Sequence, residues 1–304
     1  MPTITVGLDG SPHSLAAAYW AARAAEQRDA SLHLVHAWEQ HPYVRAPFIG
    51  LSAPAAIDAQ REWAAYTLRD AQSRIAKDHP DLPISTHQAG EQAVPALLSA
   101  AGDADMLVLG SRGIGGVAGF LAGSVALAVV ARSPGPVVLV RAVQRAEDEH
   151  LPDASGSPST VTPYRDVVLG LDPESTGDAV IGFAFDAAQR QAAGLRVVHG
   201  WTLPTAYGYG AAMDFVLNDE LSEQVWHRMT EVLRPWKAKY PGVEVREHAV
   251  VGGSGRHLVH ASRDAALVVV GRKNRRAPVG AHIGAVTHAV LQHASAPVAV
   301  VPHD

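Results

Sequence analysis

The feature that most restricts the fold is an internal repeat. Val6-Gly7-Leu8-Asp9 returns as Leu169-Gly170-Leu171-Asp172, and Leu34-Val35-His36-Ala37-Trp38 returns as Val197-Val198-His199-Gly200-Trp201, each 163 residues later. Met106-Leu107-Val108-Leu109-Gly110 returns as Leu267-Val268-Val269-Val270-Gly271, and Ser133-Pro134-Gly135-Pro136-Val137 returns as Ala294-Ser295-Ala296-Pro297-Val298, each 161 residues later. Four matches in one order at a near-constant offset mark a tandem duplication, and the period is far too long for a solenoid unit. The 304 residues therefore hold two copies of one domain, 1–141 and 164–304, joined by a linker over 142–163. The joint contains Pro152, Pro158, Pro163 and the run Glu147-Asp148-Glu149. Such a composition buries little apolar surface.

Within each copy, short β-branched runs alternate with long Ala-rich ones. Copy one reads as strand Ile4 to Leu8, helix from the Ser11 cap to about Gln27, strand Leu32 to Trp38, and helix Ala55 to Lys77, ended by Pro80 and Pro83. It continues as strand Ser85 to Ala89, helix Gln92 to Ala101, strand Met106 to Leu109, helix Val125 to Ala131 and strand Val137 to Val140. The strands are almost continuously apolar, as in parallel sheets covered on both faces. Strand–helix alternation predicts an α/β doubly wound fold.

Composition narrows the function. Apolar residues make up 47% of the chain, which excludes a mainly disordered protein. A net charge of −5 argues against non-specific nucleic-acid or anionic-membrane binding. With no cysteine, thiolate catalysis, zinc–thiolate sites and iron–sulfur clusters are excluded. No apolar run approaches a membrane span, and the first residues lack a signal-peptide pattern, so the expected location is cytoplasmic. Sixteen histidines invite a metal reading. His257 and His260 lie three apart on an expected helix, without a neighbouring third ligand, and surface or core roles are expected for them.

The most informative segment is Gly110 to Ser124, with six glycines in fifteen residues, opening into a helix. Glycines let backbone N–H groups approach a ligand, and a helix start adds unpaired donors, so the segment is a candidate phosphate cradle. A flexible surface loop with Ser124 as an ordinary N-cap is the alternative. No Walker A string occurs. Gly113-x-Gly115-x-x-Ala118 is a loose dinucleotide fingerprint without the acidic residue that should follow it.

The tighter pattern is Gly110-x2-Gly113-x9-Gly123-Ser124, with Asp9 after the first strand and His36-Ala37 ending the second. In this arrangement both copies resemble the universal stress protein family, in its tandem-domain form. The resemblance implies a five-stranded parallel sheet per copy, order 3-2-1-4-5, and ATP as cofactor, with or without Mg2+. It implies that Asp9 contacts the nucleoside, that Gly7, Ala37 and Leu109 line adenine, and that Gly110, Gly113, Gly123, Ser124 and Val125, with Arg112 nearby, hold ribose and phosphates. The order puts Asp9 and Gly110 at neighbouring strand ends, where ligands bind such sheets. Asp9 would repel a triphosphate but accepts hydrogen bonds from ribose hydroxyls; its other role is an Asx turn before Ser11.

The second copy keeps the spacing but changes residues. The matching positions are Gly170, Asp172, Gly200, Val270, Gly271, Asn274, Gly284, Ala285 and Val286, with Asn274 in place of a glycine and Ala285 in place of the hydroxyl residue. Loss of one hydrogen bond to a charged phosphate costs roughly 1.5–3 kcal/mol, so a weaker second site is expected. Arg272, Lys273, Arg275 and Arg276 offer electrostatic compensation or a solvated face. The resulting expectation is a regulatory ATP-binding protein with an unidentified protein partner, hydrolysing ATP slowly at most. An ATP-using enzyme and a structural adaptor with empty sites are the alternatives. The apolar final strands, Val137 to Val140 and Val298 to Val301, are sheet edges open to pairing, and the resemblance implies that the copies pair as a pseudo-dimer, or that chains form a homodimer.

Overall fold

The computed structural model describes residues 1–38, 53–111, 123–202, 215–274 and 283–304. They fall into two units, Met1–Gln144 and Arg145–Asp304. The first unit runs β1 (Thr3–Leu8), α1 (Pro12–Glu26), β2 (Ser31–Ala37), α2 (Ala53–Asp78), β3 (Ile84–Ala89), α3 (Ala93–Gly102), β4 (Met106–Ser111), α4 (Ser124–Val130) and β5 (Val137–Arg141). Its sheet order is β3-β2-β1-β4-β5, all parallel. The fold class and strand order expected above are therefore present.

The local chemistry explains the elements. Ser11 caps α1 by accepting from the Ser14 N–H at 3.2 Å, and Pro12 opens the helix. The buried face of α1 is mostly alanine, with Ala17, Ala18, Ala21 and Ala25 fully covered. Small side chains let α1 lie against β1, β4 and β5. The other flank of the unit is covered by α3 and α4, which touch each other and the sheet. Ile4, Val6, Leu32, Leu34, Leu107, Val108 and Val138 form the middle of the core, each at most 1% exposed.

The second unit repeats this plan as β6 (Asp166–Gly170), α5 (Asp178–Arg190), β7 (Leu195–Trp201), α6 (Phe215–Lys239), β8 (Val245–Val251), α7 (Ser254–Ala261), β9 (Ala265–Lys273), α8 (Ala285–His293) and β10 (Val298–His303). Its parallel order, β8-β7-β6-β9-β10, is the same topology. The duplication reaches single dihedrals. Asp29 and Ala192 sit at matching positions after the first helix of each unit, with φ of 49° and 48°.

The stretch between the copies is more ordered than its composition suggests. Residues 146–149 form a 3-10 helix, His150 bridges to Tyr164, and their rings lie 3.9 Å apart. Glu149 and His150 are buried. The polar residues satisfy local backbone groups: Asp153 accepts from Ser155 and Ser157 N–H, and Asp148 from Arg145 N–H. Among the described residues, no helix is long and apolar enough to cross a membrane.

One aromatic cluster locks α5 to α6. Phe185 is fully buried, with ring centroids 6.1 Å from Trp236 and 5.4 Å from Tyr240. Gly182 makes room for the indole, since a β-carbon there would come within 2.9 Å of it. Phe185→Ala should cost about 3–5 kcal/mol. Urea denaturation should show this loss, and native-state hydrogen exchange should place it in β6, β7 and β9 while the first unit's strands keep their protection.

Candidate functional site

In each unit, the connections from the first strand and to the fourth run in opposite directions, which leaves a crevice at the carboxyl ends of these neighbours. In the first unit this crevice is a cavity of about 310 Å³. It is lined by Gly7 from β1 and Asp9 just after it, Ala37 from β2, Leu109 and Gly110 from β4, and Gly123, Ser124 and Val125 at the start of α4. All the first-copy candidates within the described residues thus meet in one place. Arg112 and Gly113, with the rest of 112–122, lie outside the described residues.

Two glycines shape this cavity. A β-carbon on Gly110 would sit 2.5 Å from the backbone carbonyl carbon of His13 and 2.7 Å from the nitrogen of Ser14. The fourth strand can therefore approach the first turn of α1 only as glycine. A β-carbon on Gly7 would meet Leu109 at 2.6 Å and Leu97 at 2.7 Å, two side chains on the apolar wall. Val35, Leu97 and Ala93 complete that wall, while Ser11, His13 and Ser14 add a polar one. Reasoning from motifs alone did not find the α1 residues; their signal was position, in the turn that follows the first strand.

Asp9 performs its turn role. Its Oδ1 accepts from Ser11 N–H at 3.0 Å, and its own N–H donates to Ser14 Oγ at 3.3 Å. The carboxylate is thereby oriented at the mouth of the cavity. Beside it, the ring of His36 is buried under the end of β2. Burial pushes this imidazole below its ordinary value, and the Leu8 carbonyl and the Asp9 charge offset only part of that. Nδ1 has no hydrogen bond of good geometry among the described residues.

The second unit has a cavity of about 530 Å³ at the same place. Gly170, Asp172, Gly200, Val270, Gly271, Gly284 and Val286 line it; Asn274 and Ala285 do not. Asn274 instead follows the last residue of β9, with its N–H donating to the His303 carbonyl at 2.7 Å and its amide to Asp304 at 3.3 Å. Asp172 repeats the turn, accepting from Glu174 N–H and from Ser175 Oγ at 2.6 Å. His199 Nδ1 lies 2.8 Å from the Leu171 carbonyl. Arg272 and Lys273 line this cavity, whereas Arg275 and Arg276 lie outside the described residues. Thr287 and His303 are additions that no local motif signalled. His257, considered above as a metal ligand, places Nε2 3.0 Å from the Val251 carbonyl. No group of three or more ligand-type side chains occurs among the described residues.

Two measurements test these arrangements. Gly110→Ala forces α1 and β4 apart, so thermal unfolding should show a loss of about 1–3 kcal/mol. The His36 term has a definite sign. Burial makes the folded ring take up its proton at a lower pH than the unfolded chain does, whose ordinary value is about 6.5. Its stabilising contribution is thus present above that pH and is lost as pH falls through it. Melting temperatures measured from pH 7.5 down to pH 5 should fall less steeply in His36→Gln than in the parent chain.

Comparison with known proteins agrees with this architecture. The sequence pattern of the universal stress protein family matches residues 1–141 and again 163–302. Universal stress protein Rv2005c of Mycobacterium tuberculosis is 31% identical, with 98% of this chain and 96% of that protein covered. Rv1996 from the same organism is 30% identical over 99% and 96%. A solved universal stress protein from Archaeoglobus fulgidus superposes with a TM-score of 0.70 at 15% identity, covering 99% of this chain and 98% of that one, so it shares the fold. With two matches that span almost the whole sequence, the chain belongs to the universal stress protein family.

Proposed function

We propose that the chain is a cytoplasmic regulatory protein of the stress response that binds ATP, with or without Mg2+, and signals its occupancy to a protein partner. One observation carries this reading: every described first-copy residue that the family resemblance assigns to ATP lines one cavity at the strand switch point. Its volume falls in the usual range for small-molecule sites. The chemistry of the lining fits the parts of a nucleotide. Gly7, Ala37 and Leu109 offer an apolar slot for a base. Asp9 is an acceptor for ribose hydroxyls. Gly110, Gly123, Ser124 and Val125 present backbone at close range on the phosphate side. Bound ATP would add contacts between β1, β4 and α4, and so favour whichever conformation holds those three elements together.

Regulation fits the site better than turnover. Phosphoryl transfer is built from a cation on the phosphates, a metal-holding carboxylate and a group that positions the nucleophile. The described lining of the first cavity supplies one carboxylate, Asp9, already engaged in its turn, and no lysine or arginine.

Asp9→Asn separates the two duties of this side chain. The amide oxygen can still accept from Ser11 N–H, so stability should be kept. The negative acceptor for the ribose is lost, and ATP affinity measured by calorimetry should drop about tenfold. The protein as purified should release adenine nucleotide on denaturation, detected by chromatography. An unchanged ATP affinity in Asp9→Asn, with no nucleotide released, contradicts the proposal.

A further inference from the structure

The first unit has another cavity, on the flank of the sheet opposite α3 and α4. It measures about 260 Å³ and opens between the first turn of α1 and the middle of α2, two helices that touch. Leu8, Ser11 and Ser14 line both this cavity and the crevice, so the turn after β1 is a wall between the two. From α2 come Trp63, Tyr66, Thr67, Asp70, Ala71 and Arg74. Steps of three and four residues put them in one stripe along the helix.

The stripe has an aromatic end and a charged end. Trp63 and Tyr66 are 55% and 57% exposed, and their rings stack with centroids 5.8 Å apart. The same helix buries Ala64, Leu68 and Ile75 almost completely, so these two rings are left open by position and not by loose packing. Gly10, with φ of 78°, brings the turn against them: a β-carbon on it would lie 3.4 Å from Trp63 and 3.5 Å from Thr67 Oγ1. At the other end, Arg74 Nε donates to Asp70 Oδ2 at 2.9 Å, both side chains being more than a third exposed. That pair uses one carboxylate oxygen and one guanidinium nitrogen and leaves the rest for a ligand. Between the ends stands Thr67, 7% exposed, whose buried Oγ1 has no hydrogen-bond partner among the described residues. A buried hydroxyl left unpaired is uncommon in a native fold and points to a partner from outside the chain.

The chemistry of the lining narrows the class of ligand. The charges of Asp70 and Arg74 cancel, so a lone cation or a lone anion gains no net attraction. A ligand carrying both charges gains a charge-assisted hydrogen bond at each. Offset stacking on Trp63 and Tyr66 favours an aromatic ring at the other end. The volume lies just below the range of drug-sized sites and suits one ring with a short polar head. We infer that this cavity binds a small aromatic zwitterion, of the class of a free aromatic amino acid, with its ring on Trp63 and Tyr66, its ammonium at Asp70 and its carboxylate at Arg74. The site is separate from the crevice and does not depend on what the crevice holds.

The test is a titration of the isotope-labelled full chain with L-phenylalanine, followed by backbone amides and the Trp63 indole N–H. The resonances of Trp63, Tyr66 and Thr67 should shift with one saturation curve, while Gly110 and Val125 stay in place. N-acetylphenylalanine lacks the ammonium and phenylalanine amide lacks the carboxylate, so each should bind about tenfold or more weakly. Leucine keeps both charges without the ring and should also bind more weakly. Trp63→Ala and Arg74→Gln change exposed side chains, and each should weaken phenylalanine binding about tenfold, with thermal melts to check that the variants fold. No shift at Trp63 with millimolar phenylalanine overturns the inference. So do shifts centred on Gly110 and Val125, equal affinity for phenylalanine and its three analogues, or equal affinity of the parent chain and both folded variants. Each of these failures leaves the nucleotide reading standing, because ATP binding is measured at the crevice.

Discussion

The crevice between β1 and β4 depends on how closely β4 can approach the start of α1. Gly110 places a strand end against the backbone of His13 and Ser14, where a β-carbon would be 2.5 Å from the nearest atom. This contact fixes the floor of the crevice between β1 and β4. The crevice itself is a consequence of topology, because crossovers that leave β1 and reach β4 run in opposite directions and cannot cover both strand ends. A parallel sheet covered by helices on both flanks has few other concave places. The same constraint, repeated by duplication, produces a cavity in each unit.

Duplication also freed the second copy to change. The turn at Asp172, the glycine at 271 and the strand order are kept. The filling of the crevice is not, for His303 takes space that backbone fills in the first copy. Extending β9 and β10 brings Lys273 and His303 to the rim on hydrogen-bonded strands, a more rigid placement than a loop would give. The two cavities share an architecture and differ in the described residues that line them.

The strands were legible in the sequence because buried parallel strands are continuous apolar runs, and Val6 to Leu8 or Leu107 to Leu109 admit no other reading in an alternating chain. Helix starts were legible where chemistry marks them, as with Ser11 and Pro12. The residues that line the first-copy cavity were legible through glycine spacing together with Asp9. His303 was not, because 32 positions separate it from Gly271 and only the register of β9 with β10 brings them together. His13 and Ser14 were missed for a similar reason: their contribution is made by helix geometry and leaves no motif. The segment from 142 to 163 looked like open linker by composition, yet Asp148 and Asp153 satisfy its backbone locally and His150 finds Tyr164. Composition reports what a segment can bury, and it says little about what its polar groups can bond.

The most direct test of the central claim, that the crevice between β1 and β4 holds a nucleotide, is a titration of isotope-labelled full-length protein with ATP followed by backbone amide resonances. The account predicts that the amides of Gly7, Asp9, Ala37, Gly110, Ser124 and Val125 shift together with one saturation curve, while amides at the amino-terminal ends of the same strands, such as Thr3 and Leu107, stay in place. Shifts confined to other surfaces, or none at all at millimolar ATP, would contradict it.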